Sequence, residues 1–557
     1  MSLFFSKYLR PVFFWIALSS QLFHVHTFFT YSGSDRNVQI LAAINWLKGN
    51  GMTLPMASVS DISAISMVPV HGWPPGYSVA VAWVYQLVGN SADGMQGWFY
   101  SALLLEYLGV ILVFAGAHVL LSLLRKEISP AVYPLFFLFW IFSFTPFHFT
   151  TASEEIALGV FLLATGAWVK GFCREKISGL WLAVAFAGFL FAGWFRYAYI
   201  PLMITGPAIG LVSAWRDTPE RKKTALWATG IGFILMTGFW LILHPTHSQS
   251  GNLNDMVSGG KVHLENLLRM SAFPLKSLFF MGQDAIIVKL GIKQPLAVFI
   301  IRLLYVASTI GLMLFPLRMW RQHGNDFLQA KAPVRPVSTV LSAMFLVAIL
   351  VVSGTLMLLS LVNPVEVYEG KTWTYVEETR YYAPLLVGLS MFLLVRLFDH
   401  DTSRMGRTAL RFFLLSALLF GIGHRSFRYY SRFIKKDTRE TRYDPENQFI
   451  LNTCHYAEER VKNAGMPLVI ARGSTFWEED EAVVLAWTGV SMINFSHLLE
   501  THFESSRPIE ILIRSGGSIR KSEIGQVFSE AAPPEQIISE PGGTLYRLMY
   551  LPQNALK

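Results

Sequence analysis

The sequence predicts an α-helical polytopic membrane protein of about eleven transmembrane helices, followed by a small C-terminal extracytoplasmic α/β domain. Three observations predict it. Of 557 residues, 53% are hydrophobic and only 15% charged, and the mean hydropathy is +0.41. Soluble domains carry about a quarter charged residues. Runs such as Ala225–Leu243 and Met344–Val362 approach or reach the about 20 apolar residues that cross hydrocarbon. Basic residues recur at alternate junctions between the apolar runs, as the positive-inside rule requires. The same numbers exclude disorder, a collagen-like chain and a disulfide scaffold. The two cysteines, Cys173 and Cys454, form no metal or redox motif. The net charge of +9 falls largely in the predicted cytoplasmic loops and the basic connector, so no nucleic-acid partner is expected.

The first apolar segment covers 11–30, after Lys7 and Arg10. A cleaved signal peptide competes with a first span here. Gln21, His24 and His26 interrupt the stretch and no small-x-small cleavage site follows, which favours the span. Later spans fall near 97–124, 129–148, 154–170, 177–195, 197–214, 224–243, 296–317, 338–362, 381–398 and 408–424. With a cytoplasmic N-terminus, the inside loops carry Arg125 and Lys126; Lys170, Arg174 and Lys176; Arg216, Arg221, Lys222 and Lys223; Arg318, Arg321, Lys331 and Arg335; and Arg404 and Arg407. The outer loop 31–96 has only Arg36 and Lys48, and 149–153 has neither Lys nor Arg. An odd number of spans puts the C-terminus outside. The expected organisation is a membrane domain over 1–424 that includes the long outer loop 31–96, a basic connector over 425–442, and a soluble α/β domain over 443–557. In the last, Pro467–Ala471, Ile509–Ile513 and Leu545–Leu551 read as strands, and Glu479–Trp487 and Ile493–Phe503 as helices. It holds no G-x-G-x-x-G or Walker pattern, so no nucleotide site is expected.

The polar residues next to the spans are where chemistry could sit. Asp35 lies just past the first span, before a predicted amphipathic helix with Ile40, Ala43, Ile44 and Leu47 on one face and a stop at Gly49-Asn50-Gly51. Such a helix can lie along a membrane surface. Asp35 reads either as a helix cap or as a carboxylate held at the lipid–water boundary. His71-Gly72-Trp73-Pro74-Pro75-Gly76-Tyr77 is a stiff helix entry or the wall of a cavity, with His71 and Tyr77 as polar contacts. Glu154 and Glu155, Arg196, and Arg380-Tyr381-Tyr382 mark three further span ends on the same predicted side. Ionisable groups near a membrane are costly and often functional, although interface anchoring explains each one singly. His244 and His247 have H-x-x-H spacing but no acidic third ligand, so no metal site is assigned.

In order and topology, residues 1–424 resemble the GT-C superfamily of integral membrane glycosyltransferases, in the branch of protein mannosyltransferases and lipid A aminoarabinose transferases. The resemblance rests on Asp35 in the first outer loop, the helix ending in Lys48-Gly49-Asn50-Gly51, the stretch His71 to Tyr77, and Thr379-Arg380-Tyr381-Tyr382-Ala383-Pro384 before a late span. It implies a GT-C-like fold in a bacterial inner membrane and transfer of a sugar from a polyprenyl-phosphate donor to a lipid, glycan or protein hydroxyl on the extracytoplasmic face. Asp35 would stand for the catalytic carboxylate, with His71, Tyr77, Glu154, Glu155, Arg196, Arg380, Tyr381 and Tyr382 binding substrate. Two departures bear on metal dependence and substrate: Asp35 is followed by Arg36 rather than a second acid, and Gly72-Trp73 displaces the prolines. No organic cofactor is expected, and a divalent-metal requirement stays open. The competing class is a secondary transporter or flippase of lipid-linked glycans, which would place ionisable groups along a mid-membrane pathway. Here Glu106 and Arg302 are the main charges inside predicted spans.

Overall fold

The structure is a computed structural model that describes residues 10–30, 34–58, 60–70, 73–88, 94–143, 153–173, 176–214, 219–243, 264, 266, 276, 287, 291–307, 310–311, 336–362, 366–368, 371–373, 379–398, 404–434, 444–463, 468–472, 482–494, 505–515, 535–541 and 543–550. Helices dominate. Five of those described are long and apolar enough to cross a membrane, within Gly94–Lys126, Glu154–Phe172, Val337–Leu361, Arg380–Leu397 and Arg404–Ile434. The chain forms two compact units: Met1–His24 with Leu108–Phe149 and Ser153–Tyr430, and Val25–Tyr107 with Thr150–Ala152 and Ser431–Lys557.

The first is a helical unit. It holds most of α1 (Arg10–Phe28) and the second half of α4 (Gly94–Leu123), with α5 (Val132–Ser143), α6 (Glu154–Phe172), α7 (Gly179–Phe195), α8 (Thr205–Ala214), α9 (Pro219–Leu243), α10 (Pro295–Ala307), α11 (Val337–Val362), α12 (Ala383–Leu397) and α13 (Arg404–Tyr429). The predicted span 197–214 opens as two tight turns, Tyr197–Tyr199 and Pro201–Ile204, before α8. Pro201 has no N–H to continue a helix from α7. Packing is set by glycines. A Cβ added at Gly109 would sit 2.9 Å from Glu155 Cβ, at Gly116 2.6 Å from Leu162 Cβ, at Gly159 2.6 Å from the Leu112 carbonyl carbon, and at Gly166 2.7 Å from Val119 Cγ1. The contacts advance in step along α4 and α6, so these helices run parallel in close approach, as small residues allow in lipid. Helices α6 and α7 then pack antiparallel, with Gly171 on Trp181 and Gly188 on Ala164. The start of α6 therefore lies beside the end of α7.

The second is a sheet unit. Its elements are α2 (Ser34–Leu47), β1 (Thr53–Ala57), β2 (Ile65–Pro69), α3 (Gly76–Val88), α14 (Pro445–Asn463), β5 (Leu468–Arg472), β6 (Ser491–Asn494), β7 (Ile509–Ser515), β8 (Glu535–Glu540) and β9 (Gly543–Tyr550); the separate hairpin of β3 (Glu366–Tyr368) and β4 (Lys371–Trp373) belongs to the helical unit. One seven-stranded sheet has the order β2-β1-β6-β5-β7-β9-β8. Strands β6, β5 and β7 are parallel, and β9 and β8 add antiparallel. The hairpin β1–β2 completes the sheet through the parallel pair Met56↔Met492. Ala57 and Ile62 pack with Val469, Ala471, Ile493, Ile509, Ile511 and Ile513 in one apolar core. The central strands are mostly apolar, as expected of parallel sheet buried on both faces, and Glu510 interrupts β7.

Two expectations need correcting. The segment 493–503 was predicted helical, but Ile493 lies in β6, where its β-branched side chain joins the sheet core; residues 495–504 lie outside the described set. Helix α2 was predicted amphipathic and able to lie on a membrane surface. Residues 36–45 are instead all buried. Its polar side chains find protein acceptors: Arg36 donates to Thr30 O and lies 4.2 Å from the Phe29 ring centroid, and Asn45 Nδ2 donates to Thr53 O at 2.7 Å.

Candidate functional site

Asp35 sits in the first turn of α2, half-buried, with its backbone carbonyl accepting from Gln39 Nε2 at 2.8 Å. A carboxylate there also interacts favourably with the positive end of the helix. The helix is held at both ends. Trp487 Nε1, in the buried segment before β6, donates to Asn37 O at 3.2 Å, and Asn45 ties the last turn to β1. Tyr77 is fully buried in α3, which packs on α2. His71, His244 and His247 lie outside the described residues.

In the helical unit the structure brings four of the expected site residues together. Glu154 opens α6, and Arg196 ends α7 with an extended backbone that starts the next turn. Antiparallel packing puts them side by side, and Arg196 Nη2 lies 2.6 Å from Glu154 Oε1. Arg380 comes from the turn Thr379–Tyr382 that leads into α12, with its Nη1 3.7 Å from the same oxygen. The Tyr381 ring centroid lies 5.3 Å from the Arg380 guanidinium carbon and 5.8 Å from that of Arg196. Glu155 and Tyr382 are buried next to these residues in sequence. The two arginines differ: Arg196 has 7% of its side chain exposed and is committed to the carboxylate, whereas Arg380 has 25% exposed and holds it more loosely. A cation of this kind, braced by a carboxylate and a π-face, can bind an oxyanion bidentately.

Sequence reasoning missed two residues here. Ser153 and Tyr199 are buried, and Tyr199 is close enough to feel the charges of Glu154, Glu155 and Arg196. Tyr199 stands three positions after Arg196, one turn along; that spacing was the available signal. Among the described residues no group of three or more His, Cys, Asp or Glu side chains is placed to hold a metal ion.

No protein-family model matches the chain, and no curated protein matches it. Solved structures similar to it include the following two. One is the archaeal oligosaccharyltransferase AglB from Archaeoglobus fulgidus in complex with an inhibitory peptide and a dolichol-phosphate, with TM-score 0.45 and 10% identity, covering 86% of this chain and 64% of that one. The other is the Archaeoglobus fulgidus oligosaccharyltransferase tethered to an acceptor peptide containing the NVT sequon, with TM-score 0.44 and 12% identity, covering 89% of this chain and 65% of that one. The chain thus spans just under two thirds of the length of each.

Proposed function

We propose that this chain is an integral membrane glycosyltransferase that moves a sugar from a polyprenyl-phosphate donor to a hydroxyl of a lipid, glycan or protein acceptor on the extracytoplasmic face. The observation that carries this reading is the convergence of Glu154, Arg196, Arg380 and Tyr381 from three separate stretches of chain. It supplies a braced, partly exposed guanidinium beside apolar spans, where an anionic lipid phosphate would arrive.

The chemistry follows from the residue types. The acceptor oxygen attacks the anomeric carbon as the bond from that carbon to the phosphate oxygen breaks. The acceptor proton passes to a carboxylate, the role that the sequence resemblance gives to Asp35. The phosphate leaves with increased negative charge, which Arg380 stabilises through two parallel N–H donors, while Glu154 and Arg196 hold Arg380 in place. One in-line displacement inverts the anomeric centre. A general base needs a fixed position, and the burial of residues 36–45 and the ties at both ends of helix α2 support that reading of Asp35.

Asp35→Asn tests the assignment. It keeps size and helix-start chemistry, because Asn and Asp serve about equally at helix starts. Full-length protein in lipid nanodiscs, supplied with radiolabelled polyprenyl-phosphate sugars extracted from host membranes, is expected to lose about 10²–10⁴-fold in transfer while retaining donor affinity. Near-wild-type transfer by a folded Asp35→Asn protein would remove Asp35 from the chemistry.

A further inference from the structure

The start of α6 carries buried polar atoms with no hydrogen-bond partner among the described residues. Ser153 is the residue before α6, where a serine hydroxyl normally accepts from an N–H of the first turn, yet its side chain makes no such bond. Among the described residues Ser153 Oγ, Glu154 Oε2 and Tyr199 OH are all buried without a hydrogen-bond partner. Buried polar groups are paired in the great majority of cases, and each unpaired one costs about 1–3 kcal/mol. Ser153 and Glu154 are adjacent in sequence, Arg196 pairs with Glu154, and Tyr199 N donates to Arg196 O at 3.0 Å, so the three call for a common explanation.

We propose that Ser153, Glu154 and Tyr199 form the subsite that reads the hydroxyl groups of the donor sugar. This rests on the glycosyltransferase reading. The chemistry of the three atoms selects the occupant. A carboxylate oxygen accepts but does not donate, so a hydroxyl or amine must face Glu154 Oε2 and a phosphate is repelled from it. The two hydroxyls both donate and accept, which matches sugar hydroxyls. Arg380 faces the opposite requirement, since guanidinium takes the oxyanion. The cluster thus divides a sugar phosphate between its ends, with the phosphate at Arg380 and the ring hydroxyls at Ser153, Glu154 and Tyr199. A site built to pair polar groups discriminates strongly against analogues that lack them.

The test uses full-length protein in nanodiscs with Tyr199→Phe and, as an independent variant, Ser153→Ala. The probes are a panel of farnesyl-phosphate-linked hexoses, N-acetylhexosamines and pentoses, with farnesyl phosphate as the sugar-free control. In the absence of probe each variant should melt at or above the wild-type temperature, because an unsatisfied group has been removed. Affinity for the best sugar-linked probe should fall about tenfold, the value of one such hydrogen bond, with farnesyl phosphate affinity unchanged. A lower melting temperature, unchanged affinity for every probe, or equal loss for sugar-linked and sugar-free probes would overturn the subsite while leaving the glycosyltransferase reading intact. Failure of the wild-type protein to bind any of the farnesyl-phosphate compounds would instead overturn that reading and the subsite with it.

Discussion

Glu154 in the helical unit and Glu510 in the sheet unit are assembled from the same parts: a buried carboxylate, two arginines and a nearby tyrosine. Glu510, on β7, is 1% exposed and fully used. Its Oε2 accepts from Arg460 Nε at 3.1 Å and Nη2 at 2.5 Å, and its Oε1 accepts from Tyr456 OH at 3.1 Å. Arg547 stands 4.0 Å from Oε1, donates to Tyr456 OH at 3.3 Å, and pairs with Glu535. Burial first, then the Glu510 charge, push the Tyr456 hydroxyl above its ordinary range and keep it a donor. Glu154 shares one oxygen between two arginines as ion pairs, and neither of its oxygens has a hydrogen bond among the described residues. Residue type alone does not separate a structural ion pair from a site. Saturation does: the first network is closed, and the second has valences to offer.

Four substitutions bear on this contrast. The largest effect belongs to Glu510→Ala, which takes the shared carboxylate from Arg460 and Arg547; both arginines are partly exposed, so the cost is expected to be about 2–3 kcal/mol, below that of a fully buried pair, and the sheet unit should lose much of its protection in hydrogen exchange. A stable, fully protected variant would show that the network is dispensable and the contrast empty. Arg380→Lys comes next. It keeps the charge but loses the planar fork. Turnover should fall by about 10²-fold with little change in melting temperature. A loss of stability without loss of turnover would make Arg380 a second Arg460.

Tyr456→Phe sharpens the comparison because it is the same chemical change as Tyr199→Phe in the other cluster. Here it removes a donor to a charged acceptor, and a partly exposed bond of this kind is expected to cost about 1 kcal/mol. Denaturant titration of the two variants should give shifts of opposite sign. The smallest effect concerns pH. Hydrogen bonds from the Ser506 and Ser63 side chains hold the Asp61 carboxyl well below its usual range. A depressed folded value means that the stabilisation is present above the unfolded value, about 4, and is lost as pH falls through the folded one. Asp61→Asn should therefore flatten the acid limb of the stability profile, by under about 1 kcal/mol at this exposed site. An unchanged acid limb would show that the Ser63–Ser506 contact bears no measurable load.

Much of the helical unit was legible because its signal is local. Apolar runs near 154–170, 177–195 and 338–362 coincide with α6, α7 and α11. Glu154, Arg196 and Arg380 stood out as charges at span ends, and antiparallel packing of α6 on α7 then made two of them neighbours. The sheet unit was legible only in pieces. Strands β5, β7 and β9 announced themselves by β-branched runs, but β1 and β2 carry Pro55 and Pro69 and were read as loop. Pairing of Met56 with Met492 leaves no trace in either segment alone. For the same reason α2 looked like a surface helix: the residues that cover its polar side, Trp487 among them, lie far along the chain. Ser153 was hidden by its ordinariness, since a serine before a helix normally caps it.

The parallel pairing of β1 with β6 also sets an order of events during synthesis. Residue 56 emerges early, and its sheet partner at 492 near the end. Until then the β1–β2 hairpin has no neighbour on its β6 side, and the Trp487 side chain that grips Asn37 does not yet exist. A ribosome must deliver 450 residues beyond Asn37 before the Asp35 helix acquires both of its ties. Chains stopped short of residue 487 then carry this helix with only one of its ties in place.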